Sequence, residues 1–94
     1  MKIINSRENT WLSNNFTNDE IIAIEYIAQI ALSIQKQRIV LGYTQQDLAN
    51  MLGVSQVVVS RWENGEENFT IATLAKISKA LGMALYNPFE KRVV

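Results

Sequence analysis

The stretch Thr44 to Gly65, TQQDLANMLGVSQVVVSRWENG, constrains the chain more than any other. It predicts two short helices joined by a tight turn. Thr44 is a good N-cap, and Leu48 and Leu52 follow one helical turn apart. Gly53 stands just past that run, where a left-handed residue closes a helix. Only Val54 separates it from Ser55, a second N-cap, and the next helix runs over about 55–64 to a stop at Gly65.

At about 100° per residue, the second helix has two faces. Gln56, Val57, Ser60, Arg61 and Asn64 share one arc; Val58, Val59, Trp62 and Glu63 share the other. The first arc carries amide, hydroxyl and guanidinium groups with one apolar side chain. Such groups read base edges in a DNA major groove: Arg reads guanine, Gln reads adenine, and an apolar group meets the thymine methyl. Two helices, a Gly-containing turn and a polar outer face describe a helix-turn-helix.

The rest of the chain fits one small domain. Its 94 residues are 48% hydrophobic, enough for one modest core. The absence of Cys and His removes thiolate and imidazole metal ligands and the commonest general base. With no nucleophile–base pair and no Gly-rich phosphate loop either, an enzyme has no support, and no cofactor or metal is expected. Nine basic residues balance nine acidic ones. Neutrality counts modestly against nucleic-acid binding, although helix N-termini also hold phosphates. Ile21 to Ile34 is apolar-rich but broken by Glu25, Gln29 and Ser33, and too short to span a bilayer. A cytoplasmic protein without a membrane partner is expected.

Three segments are expected. Residues 1–16 read as an arm with Ile3, Ile4, Trp11, Leu12 and Phe16 as anchors and a helical turn around Asn9 to Asn14. Residues 17–82 carry the helical domain. Thr17 and Glu20 have capping-box spacing, so a helix begins there and continues to about Leu41, with Gly42 as its stop. Its core stripe collects Ala23, Ile27, Ile30, Ile34 and Leu41, while Ile21, Ala28, Leu32 and Ile39 widen the apolar arc beyond what one covered face needs. Either the arm covers the excess, or Trp11, Phe16, Ile21 and Leu32 contact a dimer mate or another partner. After the polar loop Glu66 to Phe69, Thr70 caps a helix through Ile71, Leu74, Ile77 and Leu81 to Gly82. Residues 83–94 read as a short extended tail, interrupted by Asn87-Pro88.

The central stretch closely resembles the Cro/repressor-like, or XRE, helix-turn-helix family. Gln45, Leu48-Ala49, Gly53-Val54-Ser55 and Glu63-Asn64-Gly65 match its pattern in register. The resemblance extends through Arg38 to Tyr43 on one side and Thr70 to Gly82 on the other, roughly half the chain. It implies an all-α, lambda-repressor-like domain of four to five helices that represses transcription as a homodimer on operator DNA. Carried over by position, Gln45 and Ser55 hold phosphates, with Gln45 bracing Gln56. Gln56, Val57, Ser60 and Arg61 face the bases, with Asn64 on the same arc. Arg38 and Glu63 form a partly buried ion pair, although Arg38 could instead touch a phosphate. Leu48, Ala49, Val54, Val59 and Trp62 are core.

Glu66-Glu67 departs from the basic or proline-containing loops of many relatives and sets like charge near DNA. It implies a loop turned away, affinity gained by dimerisation, or an interaction module that has lost DNA binding. The layout of arm, long helix, motif, single helix and tail is similar to HigA-type antitoxins. That likeness implies a small ribonuclease toxin as partner and repression of the protein's own operon. The alternative is a stand-alone phage-type or chromosomal repressor.

Overall fold

Side-chain oxygens start the helices of this protein and its glycines stop them. The computed structural model describes residues 15–83, in which four helices follow one another: α1 (Asn18–Val40), α2 (Gln45–Leu52), α3 (Gln56–Glu63) and α4 (Ile71–Leu81). Thr17, Thr44, Ser55 and Thr70 are the N-caps, each accepting a backbone N–H three residues on. At Thr17 and Thr44 the exchange is reciprocal, because Glu20 and Asp47 accept the cap's own N–H at 2.8 Å.

Each helix ends on the same paired hydrogen bond. Tyr43 N–H bonds Arg38 C=O and Gly42 N–H bonds Ile39 C=O; the equivalents at the other ends are made by Val54 and Gly53, Glu66 and Gly65, and Met83 and Gly82. This termination needs a left-handed residue. At Gly53 (φ +69°) it turns the chain sharply enough that Ser55 already caps the next helix.

α2 and α3 pack together, and each also packs on α4 or α1. Ile30 and Ile34 of α1, Leu48 and Ala49 of α2, Val59 and Trp62 of α3, and Ile77 and Leu81 of α4 form one buried cluster. Tyr43, Leu52, Val54, Val58, Phe69 and Leu74 pack around it. Gln37 ties α1 to the end of α4 through an Nε2–H bond to Leu81 C=O of 3.1 Å.

The stripe expected on α1 is only partly buried. Ile30 and Ile34 are enclosed and Ile27 is half-buried, but Ala23 is exposed and Leu41 is 41% exposed. The physical reason is length. A 23-residue helix runs about 34 Å, whereas α2 to α4 have 8 to 11 residues each. Leu41 lies a turn beyond Gln37, where α4 has already ended. Ala31 and Ile21 are buried instead. Ile21, expected at a partner surface, is 5% exposed in the isolated chain.

The expected arm and tail, including Trp11, lie outside the described residues apart from residues 15, 16 and 83. Among the described residues, no helix is long and apolar enough to cross a membrane.

Gly53 has open space where a Cβ would go, so Gly53→Ala meets only the backbone cost of a left-handed residue. A loss of about 1–2 kcal/mol is expected, with Gly53→Asn nearer wild type. Urea titration followed by circular dichroism measures both.

Candidate nucleic-acid interface

The interface is built outward from one ion pair. Arg38, on the last turn of α1, donates from Nε to Glu63 Oε2 at 2.6 Å and from Nη2 to Glu63 Oε1 at 2.9 Å. Its third nitrogen, Nη1, donates to Tyr43 C=O at 2.8 Å. The Glu63 side chain is 2% exposed and that of Arg38 is 12% exposed. The planar guanidinium fork matches the carboxylate as a Lys could not. Hydrogen bonding to Glu63 pushes the Arg38 guanidinium above its already high ordinary value, against the opposing effect of burial. A raised pKa means that the stabilisation is fully present at ordinary pH and is lost only as pH climbs through that strongly alkaline value.

From Glu63 the network runs to the molecular surface. Gln45, the first residue of α2, donates its Nε2–H to Glu63 Oε1 at 3.1 Å. Gln56, the first residue of α3, donates its Nε2–H to Gln45 Oε1 at 2.6 Å. The carboxylate fixes the direction of the chain. It accepts only, so Gln45 turns its amide nitrogen inward and its oxygen toward Gln56. Gln56 is thereby left with its Oε1 and one amide N–H to offer outward.

Around Gln56 the arc expected from periodicity is realised. Val57 is 55% exposed, Arg61 and Asn64 are exposed, and Ser60 is half-buried beside Gln56. Val59 and Trp62 are buried on the opposite face. Ser55 uses its Oγ as an acceptor from Val58 N–H at 3.3 Å, which leaves its O–H as a donor at the helix start. Arg61 is the only basic residue between Arg38 and Lys76. Its Nη1 lies 3.7 Å from Glu67 Oε1, with both side chains well exposed. Periodicity had no means of finding that contact, because Glu67 lies in the loop beyond the helix.

Of the residues expected to meet a partner, Phe16 is half-buried and Leu32 is 42% exposed. Leu32 lines an open groove of about 400 Å³ with Ile24, Ala28, Ala31 and Gln35 of α1. Its other wall is Glu63, Asn64 and Gly65, the end of α3.

The helix-turn-helix family model HTH_3 matches residues 34–86, the segment that carries this network and all of α2 to α4. The chain belongs to that family. It is an XRE-type helix-turn-helix protein, and its fold is that of DNA-binding regulators. It is similar to the antitoxin HipB of Escherichia coli K12, 33% identical over 57 residues, and to HipB of strain O6:H1, 32% identical over 75 residues. The matches cover 61% and 80% of this chain and 65% and 77% of those proteins. Among solved structures, it resembles an HTH_3 family transcriptional regulator from Vibrio cholerae, with 32% identity and TM-score 0.61. That match covers 66% of this chain and 35% of the regulator. It also resembles the restriction-modification controller protein C.Esp1396I, solved as a tetramer with its natural 35 base-pair operator. There the identity is 30%, the TM-score is 0.59, and 63% of this chain and 78% of that one are covered.

Replacing Glu63 with Gln leaves the Arg38 charge half-buried without a counter-ion. A loss of about 3–5 kcal/mol is expected, whereas the paired replacement Arg38→Met with Glu63→Leu costs less than either single change. Thermal and urea unfolding of Glu63→Gln, of Arg38→Met and Glu63→Leu singly, and of the pair tests this.

Proposed function

We propose that the protein is a sequence-specific transcriptional repressor that binds its operator as a homodimer. The carrying observation is the chain Arg38–Glu63–Gln45–Gln56, which holds a reading side chain in one orientation at the start of an exposed polar helix. Gln56 offers one acceptor and one donor, the pair that adenine N6 and N7 require. Arg61, one turn and a residue along, suits guanine O6 and N7, and Val57 between them suits a thymine methyl. Ser55 and Gln45, at the starts of α3 and α2, hold backbone phosphates through their remaining donors.

A dimer is part of this reading because one protomer brings so little charge. With Arg61 as the lone cation of the motif, phosphate neutralisation contributes little to affinity. Two copies set their recognition helices about 34 Å apart, one turn of DNA, and double the contacts.

A second reading, an antitoxin that also represses its own operon, is supported by two observations. HipB antitoxins are among the relatives, and the exposed apolar groove on α1 is lined by neither Gln56 nor Arg61. The named relatives are HipB proteins, so a HigB-like ribonuclease as the partner rests on the layout of the chain alone. The proposal therefore stops at a toxin encoded beside this protein. The segments are proposed to divide as arm 1–16, DNA-binding domain 17–82 and tail 83–94.

In gel-shift titration on a duplex selected by the wild-type protein, Arg61→Ala and Gln56→Ala are each expected to cost about 1–3 kcal/mol and to relax preference at one base pair. Unchanged binding by both variants overturns the recognition-helix assignment. For the antitoxin reading, Ile24→Asp with Leu32→Asp alters side chains that are 39% and 42% exposed. Loss of co-purification with the product of the adjacent gene, with helicity retained, is the expected outcome; full retention excludes the groove.

A further inference from the structure

The loop after α3 holds a carboxylate beside Arg61, and it is held there from both sides. Upstream, Glu66 N–H bonds Arg61 C=O at 3.0 Å and fixes the chain as it leaves α3. Downstream, Phe69 packs on Trp62, the ring centroids 6.4 Å apart, and Thr70 caps α4. Glu67 lies between these anchors. Its Oε1 is 3.7 Å from Arg61 Nη1, too far for a hydrogen bond but close enough to attract the guanidinium. Glu66, the neighbouring carboxylate, is exposed.

We infer that Glu67 is a specificity-determining positioning residue, which acts through Arg61 to penalise non-specific DNA more than the operator. This rests on the assignment of Arg61 to base reading made above. The two kinds of complex ask different things of the guanidinium. On non-specific DNA it serves as a mobile charge against whichever phosphate is nearest. Glu67 opposes that use twice, by cancelling the charge and by repelling the phosphate. Guanine reading needs two parallel donors aimed at O6 and N7. With Nη1 turned toward Glu67, the Nε/Nη2 edge supplies both donors while the pair stays intact. Glu67 therefore lowers affinity for DNA in general and leaves base reading nearly untouched. An acidic loop next to a recognition helix then has a purpose consistent with DNA binding.

The test compares wild type, Glu67→Gln, Glu66→Gln, Arg61→Ala and the double variant Arg61→Ala/Glu67→Gln. Fluorescence anisotropy reads binding to a duplex selected from a random pool by the wild type, and to a scrambled duplex. Glu67→Gln is expected to tighten the scrambled duplex roughly two- to fivefold, as befits an exposed ion pair, and the selected duplex by less. The specificity ratio falls, and preference at the base pair read by Arg61 broadens. Glu66→Gln, or Glu67→Gln placed on Arg61→Ala, shifts both duplexes equally and leaves the ratio unchanged. If Glu67→Gln shifts both duplexes equally in the Arg61 background as well, Glu67 is only a negative charge near DNA and the inference is overturned. If selection with wild type yields no preferred duplex, the base-reading assignment itself fails, and the role of Glu67 falls with it.

Discussion

The bidentate contact between Arg38 and Glu63 is the constraint on which the geometry of the proposed reading surface depends. It joins the last turn of α1 to the last turn of α3, and through Tyr43 C=O it also holds the linker into α2. A largely buried pair of this kind is a poor source of net stability, since desolvation offsets most of its attraction. The buried cluster of Ile34, Leu48, Val59, Ile77 and Leu81 supplies that. What the pair adds is direction. A carboxylate accepts and never donates, so every amide linked to it must point one way. The orientation of Gln56 is thus decided away from Gln56 itself, by a carboxylate whose side chain is 2% exposed.

Much of this arrangement is legible in the sequence, for a physical reason. The capping oxygens of Thr17, Thr44, Ser55 and Thr70 and the left-handed glycines that end each helix act over three to five residues, so their spacing alone marks the helix boundaries. The two arcs of α3 follow from a fixed angle per residue. What was not legible depends on where separate elements end relative to one another. Ala23 and Leu41 have the right phase on α1 but are exposed. The Gln37 bond to Leu81 C=O spans 44 residues and leaves no periodic trace. The second capping box lacks the familiar sequence mark, because Asp47 stands where that pattern has Glu or Gln. Arg38 with Glu63 was reachable only through family resemblance, because nothing in the spacing of two residues 25 apart joins them.

Neutrality becomes intelligible once charge is located rather than counted. Of the cations near the motif, Arg38 is consumed internally and Arg61 is shadowed by Glu67. On the proposed docking, affinity must come from neutral donors: the amides of Gln45 and Gln56, the hydroxyl of Ser55, and the backbone N–H groups that every helix start leaves without an intrahelical partner. Such contacts demand close fit and give little at a distance. A reader built this way gains little from diffuse attraction to phosphate, so base-edge contacts form a larger share of its total affinity.

The groove on α1 bears on the same surface. Its far wall is Glu63, Asn64 and Gly65, so a ligand seated against Leu32 also touches the end of the recognition helix. Contact alone does not couple two sites. A partner alters DNA binding only if its own affinity differs between two arrangements of that wall. The polar network supplies a definite way for such a difference to arise. Displacing Glu63 from Arg38 would release Gln45 and then Gln56, turning this aligned network into an unaligned one. A partner that packs against α1 and leaves Glu63 in place favours the aligned form; one that draws the carboxylate toward itself disfavours it. The sign of any coupling between partner and operator is therefore set by what the partner presents to Glu63, more than by the apolar area that it covers.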